Sequence, residues 1–416
     1  MELTPAEKKS NALWIGVSQA TFNFAAAMVI PVRASMVMAN CGGDGKRAAK
    51  VLSDMASYAA VCEIFGGPAL GAIGDAYGRK VVLLAGPTVH AVLHWLVGAN
   101  PNDVRINVLD RAVTAVLVGT TLSSGAASLA DMYEPAEQPA ELAAAQAQMG
   151  SMFSLGLMFG PLMGGAIAAK TSPRRAFHAC CVFYAASIAV MLTKVKETHK
   201  VAKRKAFDAA CTNPLRFLQL FKTGTLARLL LASGANDAAG FGNIYDLAFL
   251  FFSDECGFDA GEVGRFWSGW GAAMTAGLAG AKTVIPMLGE GAATTLGNLS
   301  TAATFYAWAN AKNARNAAGM LLLSLPMHAR SIVVDSAIVR EAGRPSVGLG
   351  KGATMAAVGN FKALLKIIWP RIYARLYARS PASPFYFIAL MPLLSELIVR
   401  SLGKRAWAKG DHGKLA

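Results

Sequence analysis

Stretches of about 20 residues with almost no charge recur along this chain, each long enough to cross a hydrocarbon layer about 30 Å thick as a helix. In the first half they run Leu13–Ile30, Leu52–Gly74, Val81–Ala99, Val108–Ala130, Met149–Ala169 and Ala176–Leu192. In the second half they run Leu226–Phe252, Phe266–Leu288, Ala292–Ala311, Ala317–Val339, Ala353–Trp369 and Phe385–Val399, a less apolar but parallel set. Within a run the apolar residues go all round the helix, whereas a soluble bundle keeps them to one face. Only 16% of the 416 residues are charged and 54% are hydrophobic, against about a quarter charged in a soluble domain. The expected fold is all-α and membrane-embedded: twelve transmembrane helices in two six-helix halves, 1–193 and 226–416, joined by a basic cytoplasmic linker, 194–225.

The net charge of +15 does not point to nucleic acid, because the Lys and Arg residues sit in connectors and do not line one soluble face among exposed aromatics. With the N-terminus inside, the cytoplasmic connectors collect Lys8, Lys9, Arg79, Lys80, Lys194, Lys196, Lys200, Lys203, Arg340, Arg344 and Arg400, and the opposite side carries fewer basic residues. The bias favours both termini inside. The opening MELTPAEKKS has no apolar core, so helix 1 is expected to be retained. The chain reads as a multi-pass protein of a plasma or organelle membrane, with the lipid bilayer as its first partner. The longest charged interruption runs from Lys194 to Lys222, where KVKETHKVAKRK precedes an amphipathic NPLRFLQLFK. Six helices on either side of a basic linker is the layout of a transporter whose halves rock about a central site.

The most informative connector lies between the second and third runs: Gly71-Ala-Ile-Gly-Asp75-Ala-Tyr-Gly78-Arg79-Lys80-Val-Val-Leu83. Its glycines suit a tight turn and close helix approach, and an acid beside two bases at a membrane surface makes a breakable charge cluster. In the fifth run, LGLMFGPLMGG supplies Gly156, Gly160, Pro161, Gly164 and Gly165; small residues four apart let helix backbones touch, and Pro161 removes a donor. Arg111, followed by Ala115 and Gly119, lies in the fourth run.

The connector resembles the signature loop of the major facilitator superfamily. The glycine run resembles that superfamily's antiporter motif, and Arg111 its helix 4 arginine pattern with Ala replacing one Gly. KVKETHK and GRPSVGLGKGATMAAVGN are similar to the family at their positions as well, while Ile285 to Gly297, where the loop should repeat, keeps only Gly289, Glu290 and Gly297. The resemblance implies the major facilitator fold and a latch in which Asp75 faces the start of helix 11, around Ser346 to Gly350, and Arg79 pairs with Asp131. It also implies a solute transporter working by alternating access, nearest the drug or tetracycline proton-antiporter branch, with a small organic solute and protons as partners and a monomeric chain.

A charge at mid-bilayer costs about 2.5 to 3.5 kcal/mol on insertion scales, so each ionisable residue inside a run is a functional candidate. Glu63 lies twelve residues before Asp75, or about 18 Å along a helix, near the midplane. Helix 7 offers Asn236, Asp237, Asn243 and Asp246, with Asn236 and Asn243 on one face; helix 10 offers His328, Arg330 and Asp335. Together they are expected to line a polar cavity in which Glu63 or Asp237 carries a proton and His328 or Arg330 meets an anionic group. The competing reading is internal pairing, such as Arg330 with Asp335. His90 and His94, one turn apart without a third ligand, read as packing rather than as a metal site, and Trp267, Trp270, Trp308 and Tyr306 read as interfacial anchors. No cofactor or metal is implied. Gly277-Leu-Ala-Gly-Ala-Lys282-Thr283 fails the phosphate-loop pattern, and the nucleophile and zinc signatures of enzymes do not occur. The alternative to a transporter is a non-transporting sensor or scaffold on the same fold.

Overall fold

The computed structural model describes residues 3–133, 138–199, 201, 204, 214–342 and 351–403. The described chain is helical: α1 (Pro5–Met28), α2 (Ile30–Asn40), α3 (Gly45–Tyr77), α4 (Arg79–Ala99), α5 (Val104–Met132), α6 (Pro139–Lys170), α7 (Pro173–Thr193), α8 (Gly224–Ala238), α9 (Phe241–Asp254), α10 (Ala260–Leu288), α11 (Glu290–Ala309), α12 (Ala314–Gly319), α13 (His328–Ala342), α14 (Lys351–Arg379) and α15 (Ser383–Arg400). Short 3-10 helices cover Pro214–Phe221 and Met320–Met327. With α1 joined to α2, α8 to α9 and α12 to α13, these make twelve segments in the expected order. Among the described residues, eight helices are long and apolar enough to cross a membrane. Six of these lie before residue 194, and the other two are Asn316–Ala342 and Ser383–Arg400.

Helix starts follow local chemistry. The Thr4 hydroxyl accepts from Glu7 N at 3.3 Å while Glu7 Oε2 accepts from Thr4 N at 2.8 Å, a reciprocal cap that opens α1. Asp44 and Asp103 cap α3 and α5 by accepting from Lys46 N and Arg105 N at 2.9 and 2.8 Å. Proline, which has no N–H to lose, stands in the first turn of α1, α2, α6, α7 and α15.

The first segment differs from its expected span. Past Ile30 the chain continues through α2 to Asn40, because Pro31 falls at a helix start, where its missing donor costs nothing. In the seventh segment α8 stops at Ala238 before Phe241 opens α9, so the seven-residue spacing of Asn236 and Asn243 does not define one helical face.

Contacts divide the chain into two compact units, Met1–Thr212 with Phe252–Gly271, and Asn213–Phe251 with Ala272–Ala416. The first has cores around Phe22, Val32, Phe177 and Tyr184 and around Ile15, Leu83 and Met191. The second is built on Leu229, Leu230, Val334, Ile338, Phe361 and Val399. Large apolar side chains also point outward, Trp95 at 57% and Leu397 at 67% exposure among them, the surface expected of a chain whose solvent is lipid. Trp267, Trp270 and Trp308 are buried rather than interfacial. The first two join Phe252, Phe258 and Phe266 in an aromatic cluster, so packing overrides the anchoring expected for them, and Tyr306 alone of the four is exposed. Asn298 on α11 is fully buried and donates to Glu396.

Candidate functional site

In the first unit, the connector between α3 and α4 shrinks to one residue, Gly78, at φ 112°. A side chain there would be strained by the backbone and would strike the Glu197 carboxylate. Glu197 lies just past the end of α7 and accepts from Arg79 N and Lys80 N, both at 3.0 Å. Its Oε1 also accepts from Thr198 N and His199 N, each at 2.9 Å. The physical need is clear. Arg79 and Lys80 place two positive charges on the positive end of a helix dipole, and a carboxylate over the first N–H groups offsets both.

The Arg79 guanidinium, 14% exposed, contacts Asp75 at 2.5 Å and Asp131 at 3.3 Å, and Asp131 also meets His199 Nδ1 at 3.2 Å. Lys80 Nζ donates to Val195 O at 2.7 Å. Three acids thus hold Arg79 and Lys80 and tie the ends of α3, α4, α5 and α7 together. Asp75 is the loosest member, 47% exposed. Its expected partner stretch, Ser346 to Gly350, lies outside the described residues. A side-chain carbon at Gly71 would meet no described atom within 4 Å, whereas Gly74 packs against Val82 and Arg79.

The glycines of α6 do serve close packing. A carbon at Gly156 would lie 2.7 Å from Ala20 O, one at Gly160 would lie 2.6 Å from Phe24 O, and one at Gly164 would overlap Met28 O. Three successive turns of α6 therefore lie backbone to backbone on α1. The opposite edge meets α10: a carbon at Gly165 would lie 2.9 Å from Gly264 Cα, and the Pro161 carbonyl borders Gly264.

In the second unit, Asp335 on α13 accepts from Ser233 Oγ at 2.8 Å and from Lys362 Nζ at 2.7 Å. Arg330, buried, donates to Asn236 O at 3.2 Å and has the carboxylates of Asp237 and Asp335 as its charged neighbours. The direct partner of Asp335 is thus Lys362 and not Arg330. The Asn236 amide is buried with neither polar atom hydrogen-bonded, as is His328 Nε2. Asp237 and Asp246 are half-buried; the Asn243 side chain lies outside the described residues. In the first unit, Glu63 and Arg111 are half-buried on α3 and α5.

The second unit also repeats the one-glycine turn. Gly289, at φ 79°, joins α10 to α11, and Glu290, the first residue of α11, forms a double hydrogen bond with Arg340 at 2.6 and 2.5 Å. Glu396 on α15 accepts from Thr295 at 2.5 Å, Asn298 at 2.8 Å and Arg400 at 2.8 Å. Sequence reasoning passed over Glu197, Lys362 and Glu396. For the last two, the rule that flags ionisable residues inside apolar runs applied to Ala353–Trp369 and Phe385–Val399 as well; for Glu197 the signal lay in KVKETHK.

The helices and their outward apolar faces define a multi-pass integral membrane protein. Its sequence matches the Major Facilitator Superfamily over residues 15–361, and the chain belongs to that family. A search of curated proteins by sequence found no match. Among solved structures the chain is similar to the human organic anion transporter MFSD10 (TETRAN), at 19% identity and a TM-score of 0.66, over 95% of this chain and 100% of that one. It is similar to a peptide transporter POT in complex with sulfate at 14% identity and a TM-score of 0.75, over 96% and 95% of the two chains. The nucleoside transporter NupG follows at 14% identity and a TM-score of 0.68, over 96% and 99%. At these identities the likeness establishes the fold, and family and fold together place the protein among membrane transporters.

Proposed function

We propose that this protein is a secondary active transporter that exports a small organic solute by alternating access, coupled to protons and acting as a monomer. The halves that rock are 1–193 and 226–416, with 194–225 as the linker. The observation that carries the reading is the set of polar groups inside the spans of the second unit. Asp335, Lys362 and Ser233 form a half-buried cluster beside Arg330 and the unpaired Asn236 amide. Such groups are expensive in lipid and are kept where they bind or relay charge. Asn236, Asp237, Asn243, Asp246, His328, Arg330 and Asp335 contribute to solute binding, Glu63 carries a coupling proton, and Arg111 supports one of these steps. The cluster of Asp75, Arg79, Lys80 and Asp131 acts as the latch, and the α6 glycines, packed on α1, serve as the antiporter-type motif. The test is flux into proteoliposomes under either sign of proton gradient, with a panel of organic anions, nucleosides and short peptides, repeated with Glu63→Gln. Gradient-driven flux that Glu63→Gln abolishes supports the reading; binding without flux under either gradient replaces it with the sensor or scaffold.

A further inference from the structure

The first unit holds a second charged cluster that the proposed transport site does not use. Arg33 on α2 and Asp110 on α5 pair at 2.7 Å, with side chains 6% and 0% exposed. The other Asp110 oxygen faces His94 Nε2 of α4 at 3.4 Å. His94 Nδ1 in turn meets the Tyr184 hydroxyl of α7 at 3.1 Å and Cys180 Sγ at 3.4 Å. Neither Asp110 oxygen makes a hydrogen bond among the described residues in this arrangement; a carboxylate only accepts, so the tautomer that suits both neighbours has its hydrogen on Nε2 and lets Nδ1 accept from Tyr184.

The other titratable groups facing this cluster are known for each element packed on it. On α4, His90 stands edge-on to His94, its Nδ1 against Gly86 O at 2.9 Å. On α7 there are Cys180, Cys181 and Tyr184, and on α5 Arg111 follows Asp110. α1 contributes the ring of Phe22, and α3 and α6, which also pack on these helices, contribute no titratable neighbour to the electrostatics of His90 or His94 among the described residues.

Two features set this cluster apart from an ordinary buried ion pair. The first is its surplus of proton acceptors. A structural pair needs only Arg33 and Asp110, yet two imidazoles and a phenol extend it within a core otherwise made of Phe22, Val32, Val97, Ala176 and Phe177. The second is where Arg33 sits. The α6 glycines hold α1 backbone to backbone as far as Met28. The helix is interrupted at Val29 alone and restarts at Ile30 with Pro31 next, and Arg33 follows in the first turn of α2. A helix axis bends most easily at such a proline break. Turning α2 about Val29 would withdraw the guanidinium and leave a buried carboxylate without its countercharge, a state that a buried site does not tolerate.

We propose that Arg33, Asp110 and His94 form a proton-exchange site inside the first unit, in which a proton bound by His94 replaces the Arg33 guanidinium beside Asp110 when α2 turns about Val29. The inference rests on the proton-coupled reading above and adds a second proton-binding place to the one at Glu63. Before the exchange the site holds guanidinium, carboxylate and neutral imidazole. During it, Arg33 keeps its own hydrogens and leaves. One proton, taken from hydronium in the water of the side that opens, forms a new N–H bond at His94 Nδ1 and leaves a neutral water behind, and the Tyr184 hydroxyl turns from donor to acceptor. The imidazolium then pairs with Asp110, so the buried site stays neutral in both states and one proton is bound per swing of α2.

The test follows the His94 ring nitrogens by NMR in the full chain, labelled with 15N-histidine in lipid nanodiscs, with His94→Gln to assign the resonance. In the unaltered protein His94 should stay neutral, with the hydrogen on Nε2, between about pH 5 and 8. In Arg33→Gln it should be imidazolium at neutral pH, and in Arg33→Gln with Asp110→Asn it should be neutral again. A neutral His94 throughout in a monodisperse Arg33→Gln overturns the proposal. Should Arg33→Gln fail to fold, His94→Gln decides, since it removes the proton carrier and leaves the ion pair. Gradient-driven flux of the solute found in the panel should then fall about tenfold or more, with exchange at equal pH retained. Undiminished gradient-driven flux, or equal loss of both, overturns the proposal. An unaltered protein without gradient-driven flux overturns the proton-coupled reading itself, and the NMR result still decides whether His94 replaces Arg33.

Discussion

The turn from α3 to α4 and the turn from α10 to α11 share one backbone solution and carry opposite charges. Each is a single glycine with positive φ, Gly78 at 112° and Gly289 at 79°. The first helical residue after each reaches the last turn of the next segment. Arg79 reaches Asp131 in the first unit, and Glu290 reaches Arg340 in the second. A negative charge at a helix N-terminus agrees with the dipole and a positive one opposes it. Glu290 therefore needs no further cap, whereas Arg79 and Lys80 need the Glu197 carboxylate laid over their N–H groups. The counterpart carboxylate, Glu396, is released from that duty and binds the side chains of Thr295 and Asn298 instead. The backbone joint thus tolerates reversal of its charges provided they reverse together.

The largest effect should separate the two glycines. Gly78→Ala meets both a left-handed backbone and the Glu197 carboxylate and should lose about 3 kcal/mol of stability. Gly289→Ala meets the backbone strain alone, with open space around the new carbon, and should lose about 1 to 2 kcal/mol. Unfolding of the two variants in the same detergent checks the ordering, and equal losses would remove Glu197 from the explanation.

Next in size, Glu197→Gln should cost about 2 kcal/mol, because a charged acceptor of several N–H groups becomes a neutral one. The loss should be regained in part when Arg79→Gln and Lys80→Gln are added, and a calorimetric comparison of single and combined variants measures it. A smaller effect tests the reversal directly. Exchanging Glu290 and Arg340 keeps the ion pair but puts a cation on the α11 N-terminus, and should cost about 1 kcal/mol without a Glu197 to offset it. An exchange that costs nothing would show that the dipole does not govern these turns.

The smallest stability change belongs to Asp75→Asn, at most about 1 kcal/mol, since its ion pair is half exposed and screened. Transport should nonetheless slow while solute binding is kept, because the substitution loosens the latch and leaves the polar groups of α8 and α13 alone. Flux and binding measured on one preparation check this, and unchanged flux would remove Asp75 from the latch.

Local patterns made the first of these turns readable without a structure. Gly78, Asp75 and Arg79 sit within five residues of one another, and the resemblance to the family's signature loop pointed to Asp131 as the partner of Arg79. The second turn was nearly invisible because its charges are exchanged, and a pattern that demands Asp and Arg in order does not see Glu290 and Arg340. Arg33 and Asp110 were missed for another reason. Pro31 read as the end of the first helix, and Asp110 was overlooked beside Arg111, although it stands inside an apolar run.

Alone, the sequence determined that the chain lies in a membrane as twelve helical segments, because length and unbroken apolarity leave no other way to satisfy the backbone in lipid. It also marked the glycine turn at Gly78, since that is a property of a few adjacent residues. Only the tertiary structure decided which charges meet. Pairings such as Arg33 with Asp110, Lys362 with Asp335 and Glu396 with Asn298 join helices far apart in the chain. They depend on how those helices rotate against one another, and side-chain packing sets that rotation where no local rule applies.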